Sequence, residues 1–288
     1  MKYRLSRTIA LTIITNFFLF SSVTLASPED IAQKKETLQT KEELNPYLIT
    51  LYEPTYIMPF SYTSSFNQDA ESDMPESASL NHIETKFQFS VKAAILRNLL
   101  WRNSLNLAYT QLSFWQVYNK KTQFFRESDY QPEIFLANNI DKYIFDGWSL
   151  VFFNIGAYHQ SNGRGGTYER SWNRVYAETI FSKNNWLLSV RPWYVIPGDS
   201  LDNNPDIAHY LGYERILLSY QFHKQTLSLV TYNWEHISRT SAQLTWSFPL
   251  VRQFRGYVQA FSGYGQSLIE YNNHTNSISV GIALNDWL

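Results

Sequence analysis

The chain has 288 residues and no cysteine, which excludes disulfides, zinc–thiolate sites and a thiol nucleophile. Its 24 basic and 25 acidic residues form no basic block or basic–aromatic pattern, so nucleic acid is excluded as a partner. Aromatic residues make up 17% of a chain that is only 44% hydrophobic, with nine Trp and twenty Tyr. A transmembrane β-barrel reconciles these values: its strands alternate apolar-out and polar-in, and Tyr and Trp form girdles at both interfaces.

The chain opens on basic MKYRLSR, continues through the mostly apolar IALTIITNFFLF, and reaches Thr24-Leu25-Ala26 before Ser27. This is the pattern of a secretory signal peptide over 1–26, cut after Ala26. The apolar run is too short for a membrane helix and is interrupted by Thr and Asn. Its removal takes away Lys2, Arg4 and Arg7, leaving 21 basic against 25 acidic residues and a net charge of −4. Residues 27–45, SPEDIAQKKETLQTKEELN, are charged and lack aromatics, as expected of a mobile or loosely helical extension. At Pro46-Tyr47 period-two runs begin and continue to the end, so 46–288 is the predicted barrel.

In chain order, KFQFSVKA sets Phe87, Phe89 and Val91 against Lys86, Gln88, Ser90 and Lys92. SLNLAYTQLSFWQ aligns Leu105, Leu107 and Tyr109. LVFFNIGAYHQS aligns Val151, Phe153, Ile155 and Ala157 against the more polar Asn154, Gly156 and Gln160. WLLSVRPWY aligns Trp186, Leu188, Val190 and Tyr194 opposite Ser189 and Arg191. SISVGIALNDWL places Ile278, Val280, Ile282, Leu284 and Leu288 on one face. Counting such runs gives an all-β, twelve-stranded antiparallel transmembrane barrel, an even number as in bacterial outer-membrane proteins. Long polar connections (SSFNQDAESDMPESASLN, YNKKTQFFRESDYQ, SNGRGGTYER, PGDSLDNNPDIA, GYGQSLIEYNNHTN) alternate with short ones (FSKNN, FHKQ, PLVRQ). With short turns periplasmic and both termini inside, SNGRGGTYER faces outward. A soluble sandwich or lipocalin-like barrel does not carry Leu, Phe, Trp and Tyr on the outer face of almost every strand.

One stretch reads unlike the rest. In YHQSNGRGGTYERSWNRVY, His159 and Ser161 extend the apolar, lipid-facing set of their strand to its outer rim. In the next strand Asn173 is in phase with Val175 and Ala177, whereas Arg174, Tyr176 and Glu178 point into the lumen. An antiparallel hairpin can bring Asn173 beside His159 on the outer face. Serine is a weak nucleophile until a base takes its proton; His159 can be that base, and an amide carbonyl can orient the imidazole. The backbone N–H groups of Asn162-Gly163, freed by a turn, can form an oxyanion hole. A site that opens toward lipid takes a substrate lying in the membrane.

HQSNGRGGTYERSWNR resembles the motif of bacterial outer-membrane phospholipase A. The resemblance extends to YTQLSFWQ, FRESDYQPEIF, NWLLSVRPWYV, NPDIAHYLGY and the terminal NDWL, covering roughly 46–288. It implies a calcium-dependent phospholipase of a Gram-negative outer membrane, its site toward the outer leaflet. Such an enzyme hydrolyses sn-1 and sn-2 acyl esters of phospholipids and lysophospholipids and is active as a homodimer. Ser161 would be the nucleophile, His159 the base, Asn173 the orienting residue, and the Gly163 amide with a calcium-bound water the oxyanion donors. The calcium ligands would be the Arg164 carbonyl, Glu169 in place of a family serine, and Thr122 of the partner subunit, again where the family has serine. Gly165-Gly166 replaces bulkier family residues, which loosens this loop. Gln111 is in phase with Leu105, Leu107 and Tyr109; an amide facing hydrocarbon needs a partner, and the resemblance places that partner across the dimer. By the same resemblance a lone monomer is idle until dimerisation and calcium complete the cleft.

Two other functions fit such a barrel, a passive porin-like channel with an inert motif and a lipopolysaccharide deacylase. Bulky inward residues such as Phe152, Trp172 and Trp193 leave little lumen for the first. The remaining histidines (82, 209, 223, 236 and 274) lie in turns or near strand ends, and Asp199, Asp202 and Asp206 in a plain outer loop.

Overall fold

The computed structural model describes residues 49–67, 69, 79–99 and 103–288. The predicted signal peptide and N-terminal extension lie outside the described residues. The strands are β1 (Ile49–Leu51), β2 (Tyr56–Thr63), β3 (Ile83–Leu96), β4 (Asn103–Trp115), β5 (Phe125–Phe145), β6 (Trp148–Ser161) and β7 (Ser171–Lys183). They continue with β8 (Trp186–Ile196), β9 (Glu214–Phe222), β10 (Gln225–Tyr232), β11 (Ser241–Val251), β12 (Phe254–Gly263) and β13 (Thr275–Ala283). Each neighbouring pair is antiparallel, β13 returns to β2, and β3–β4 completes the ring. β1 and β2 follow one another along the same edge of β3, with Leu51 opposite Val91 and Tyr56 opposite Gln88. They form one interrupted stave, and the barrel is closed with twelve. Closure gives the strands of the ring a neighbour on either side, so their paired backbone groups need no water, as a hydrocarbon environment demands. No helix among the described residues is long and apolar enough to cross a membrane.

The side chains are distributed inside out relative to a soluble domain. Leu107, Ile155, Val175, Tyr194, Leu244, Ile278 and Val280 are exposed, whereas Glu84, Lys86, Arg126, Glu178 and Arg191 are buried. Lipid solvates the first set; the second must be paired inside. Glu178 accepts from Arg191 (2.9 Å), Arg215 (3.4 Å), Asn154 (3.0 Å) and Ser189 (2.7 Å). Arg126 donates to Glu84 at 2.7 Å and to Glu270 at 3.2 Å. The Arg174 guanidinium lies 3.5 Å from the centroid of Trp172 and 3.9 Å from that of Tyr158. Trp172 and Trp193 are buried here, as expected, while Phe152 is half-buried. A cavity of about 160 Å³ remains between these groups.

Three details differ from the sequence expectation. Residues 125–131, expected in a loop, are the beginning of β5. Their charges suggested solvent, but Glu127 and Asp129 face inward and accept the backbone N–H groups of Ile269 (3.0 Å) and Leu268 (3.0 Å), pinning the 264–274 loop. Val151 is buried at a β-bulge instead of joining the apolar outer face, because Leu150 pairs with Phe181 and Phe152 with Ile180, leaving it over. Leu288 does not share the outer face of β13. The strand ends at Ala283, and Leu288 packs with Trp287 against inward-facing Leu187, Leu217 and Val230.

Candidate active site

β6 and β7 form the hairpin that carries the motif. Its register sets His159 opposite Asn173 and Ser161 opposite Ser171. Tyr158 on β6 and Trp172, Arg174 and Tyr176 on β7 are buried inside, so the alternating positions, His159, Ser161 and Asn173, face outward. His159 Nδ1 and Asn173 Oδ1 are 2.8 Å apart. An amide oxygen can only accept, so the imidazole proton sits on Nδ1 and the lone pair on Nε2. Ser161 stands two residues on from His159, half-buried on the same face.

The loop 162–170 is organised by Asn162. Its N–H donates to the Arg170 carbonyl at 3.0 Å. Its Oδ1 accepts from Arg170 N (2.9 Å) and Arg164 N (3.3 Å), and its Nδ2 donates to the Tyr168 carbonyl (3.0 Å). The Asn162 N–H is therefore committed to closing the loop, and of the two amides considered for an oxyanion only Gly163 remains. Among the described residues the Gly163 N–H donates to no other group. Gly163 has φ +66°, and a Cβ there would stand 2.8 Å from Cε2 of Tyr130. Tyr130 pairs with Ser161 on one side and Gln111 on the other.

The Arg164 side chain reaches inward, donating to Glu127 Oε2 at 3.0 Å and to the Arg126 carbonyl. Gly166 (φ +64°) opens a short 3₁₀ turn, Gly166–Tyr168, with open space where either Cβ of Gly165 or Gly166 would be. Glu169 follows, exposed, its carboxylate engaged with no other described residue. A carbonyl and a carboxylate five residues apart on one loop are the hard oxygen donors that calcium takes, so the donor set fits the ion. Thr122 lies in a different loop, 116–124, its N–H on Asn119 Oδ1 at 3.4 Å, and no hydrogen bond joins it to Arg164 or Glu169 within the chain. Among the described residues no cluster of three or more His, Asp or Glu forms an alternative cation cage. In the outer 264–274 loop, burial pushes the carboxyl of Glu270 up, and the neighbouring Arg126 opposes that shift.

Gln111 faces outward, and its amide is partnered along its own strand. Tyr109 OH donates to Oε1 (3.0 Å), and Nε2 donates to Ser113 Oγ (3.1 Å), which also contacts Ser128 Oγ (2.8 Å). Two residues near the site carry no sequence signal, Ser200 and Asn204, both in the β8–β9 loop and both bonded to β7.

A closed barrel with an apolar outer belt, bearing a serine and a hydrogen-bonded His–Asn pair on that belt, defines a membrane β-barrel of hydrolase type. The Phospholipase A1 family model matches residues 32–284, and the chain belongs to that family. It is 41% identical over 245 residues to the phospholipase A1 of Klebsiella pneumoniae, covering 84% of each chain. To that of Escherichia coli K12 it is 38% identical over 249 residues, covering 85% of this chain and 84% of the relative. The solved outer membrane phospholipase A of Escherichia coli superposes with a TM-score of 0.79 at 37% identity, over 85% of this chain and 94% of that one. A Salmonella typhi outer membrane phospholipase, solved as a dimer with bound calcium, superposes with a TM-score of 0.78 at 38% identity, over 84% and 94%. This chain is accordingly an outer-membrane carboxylic ester hydrolase of a Gram-negative bacterium.

Proposed function

We propose that the chain hydrolyses sn-1 and sn-2 acyl esters of phospholipids and lysophospholipids at Ser161, with His159 as base and Asn173 as its orienting group. The reading rests above all on the 2.8 Å contact between His159 Nδ1 and Asn173 Oδ1 on the lipid-facing side of the barrel. With Nδ1–H held by the amide, Nε2 is free to take the Ser161 proton as Oγ attacks the ester carbonyl. The developing oxyanion is met by the Gly163 N–H. Collapse expels the lysophospholipid or glycerophosphodiester alcohol, which takes its proton from His159. Water, activated by the same imidazole, then releases the fatty acid and restores Ser161.

Calcium would be held by the Arg164 carbonyl, Glu169 and the partner subunit's Thr122, and when bound it supplies positive charge beside the oxyanion. The Salmonella typhi relative, a dimer with bound calcium, supports this part by analogy. In the proposed homodimer Gln111, already bonded to Tyr109 and Ser113, keeps a second Nε2 hydrogen for a partner across the interface. With the site in the outer leaflet, where phospholipid is scarce, the monomer stays idle until two copies and calcium meet. Fatty-acid release by refolded protein, with calcium and with chelator, tests the reading. Release that disappears with chelator supports it, and release indifferent to chelator refutes the calcium dependence.

A further inference from the structure

The β8–β9 loop reaches over the end of β7 in a way that bears on Asn173. The β7–β8 ladder stops where Asn173 faces Ile196, because Pro197 follows and cannot extend the strand. Beyond that point Ser171 has no β8 residue opposite. Asn204, fully buried, takes the place of a strand: its Oδ1 accepts the Ser171 N–H at 3.0 Å and its Nδ2 donates to the Ser171 carbonyl at 2.9 Å. Ser171 Oγ in turn donates to the Ser200 carbonyl at 3.1 Å. These three bonds fix the 3₁₀ turn Asp199–Leu201 against β7 and bring the Ser200 hydroxyl to 3.1 Å from Asn173 Nδ2.

An asparagine amide presents either a carbonyl or an NH₂ group depending on a half-turn of its last torsion, and only the carbonyl can accept from His159. The two ends of the Asn173 amide are held by different partners, Oδ1 by His159 and Nδ2 by Ser200. A hydroxyl also has a proton to offer, but here it receives one from the NH₂ end. Turning the amide round would place Nδ2 against the Nδ1–H of His159, donor against donor.

We propose that Ser200 is a positioning residue of the hydrolytic centre, anchoring the NH₂ end of Asn173 so that its carbonyl faces His159. The β8–β9 loop is then part of the active site through its bond to Asn173. This rests on the Ser161–His159–Asn173 reading.

The test compares Ser200→Ala, Ser200→Thr, Asn173→Ala and the double variant Ser200→Ala/Asn173→Ala, as refolded full chains in detergent with saturating calcium. Losing one neutral hydrogen bond that acts only through Asn173 lowers kcat by about 3- to 10-fold in Ser200→Ala, leaving KM unchanged. Thr keeps the hydroxyl and restores kcat. In the Asn173→Ala background Ser200→Ala causes no further loss, because the group it positions is gone. Wild-type kcat in Ser200→Ala, with Asn173→Ala impaired, overturns the proposal. So do losses that multiply in the double variant, since Ser200 would then act independently of Asn173. Wild-type activity in Asn173→Ala overturns the triad reading itself, and the proposal with it, and is told apart by that single variant.

Discussion

Gly163→Ala is the substitution whose effect the structure defines most closely. At φ +66° the backbone is in the left-handed region, where an L side chain costs about 1–2 kcal/mol. The added methyl would also stand 2.8 Å from Cε2 of Tyr130, too close for any real Cβ contact. The loop has little freedom to yield, because Asn162 fastens it to residues 164, 168 and 170 through four hydrogen bonds. The Tyr130 backbone is held as well, lying in the ladder between Gln111 and Ser161. Relief that rotates the 163 peptide swings the uncommitted Gly163 amide away from the oxyanion. Losing one such donor lowers kcat by roughly 100- to 1,000-fold. Fatty-acid release from mixed micelles at saturating calcium measures kcat, and electrophoresis of unheated samples checks that the barrel is intact. Tyr130→Leu in the Gly163→Ala background removes the clash but not the φ penalty, and recovers part of the loss. A folded Gly163→Ala protein with wild-type kcat would refute the assignment of this amide to the oxyanion.

Other expectations come from the same geometry. Asn173→Ala releases the imidazole and lowers kcat by about 10- to 100-fold, whereas Asn173→Asp, which keeps an acceptor oxygen, retains most of it; steady-state kinetics on both separates orientation from loss of volume. Glu169→Ala removes the one carboxylate of the proposed calcium site, so half-maximal activity needs about tenfold more calcium while kcat at saturation recovers; an unchanged calcium titration rules Glu169 out as a ligand. Glu178→Leu removes one ion-pair partner from each of Arg191 and Arg215, which keep Glu133 at 3.6 Å and Glu53 at 2.6 Å, and destabilises the barrel by about 1–3 kcal/mol, read as a lower midpoint of urea unfolding in micelles. Gln111→Ala weakens self-association in detergent with calcium, and an unchanged sedimentation profile removes Gln111 from the interface.

The barrel was legible because lipid and lumen impose opposite demands on alternate residues, and that alternation survives in most strands. Trp186, Leu188, Val190 and Tyr194 against Ser189 and Arg191 read the same in the sequence and in β8. It failed where a charge inside the barrel looks like a charge in a loop. Arg126, Glu127 and Asp129 are buried in β5, paired with each other's neighbours and with the 264–274 loop, and nothing local distinguishes them from solvated residues. It failed again where a bulge shifted the phase at Val151 and where the chain turned inward after Ala283. At the site, the hairpin register followed from the turn joining two in-phase strands, so the meeting of His159 and Asn173 was readable. The loop's contribution was not. Ser200 and Asn204 reach β7 from 29 and 33 residues away in sequence, through side-chain hydrogen bonds that leave no periodic trace.

We propose Ser161 as a nucleophile activated by His159 on the outer face of the barrel. A fluorophosphonate carrying a long acyl chain reacts with an activated serine and leaves a stable adduct whose mass can be measured on the intact chain. One adduct per chain is expected, mapped by peptide sequencing to Ser161, and none in His159→Ala. An adduct on another residue, or labelling of Ser161 that is undiminished in a folded His159→Ala protein, would contradict it.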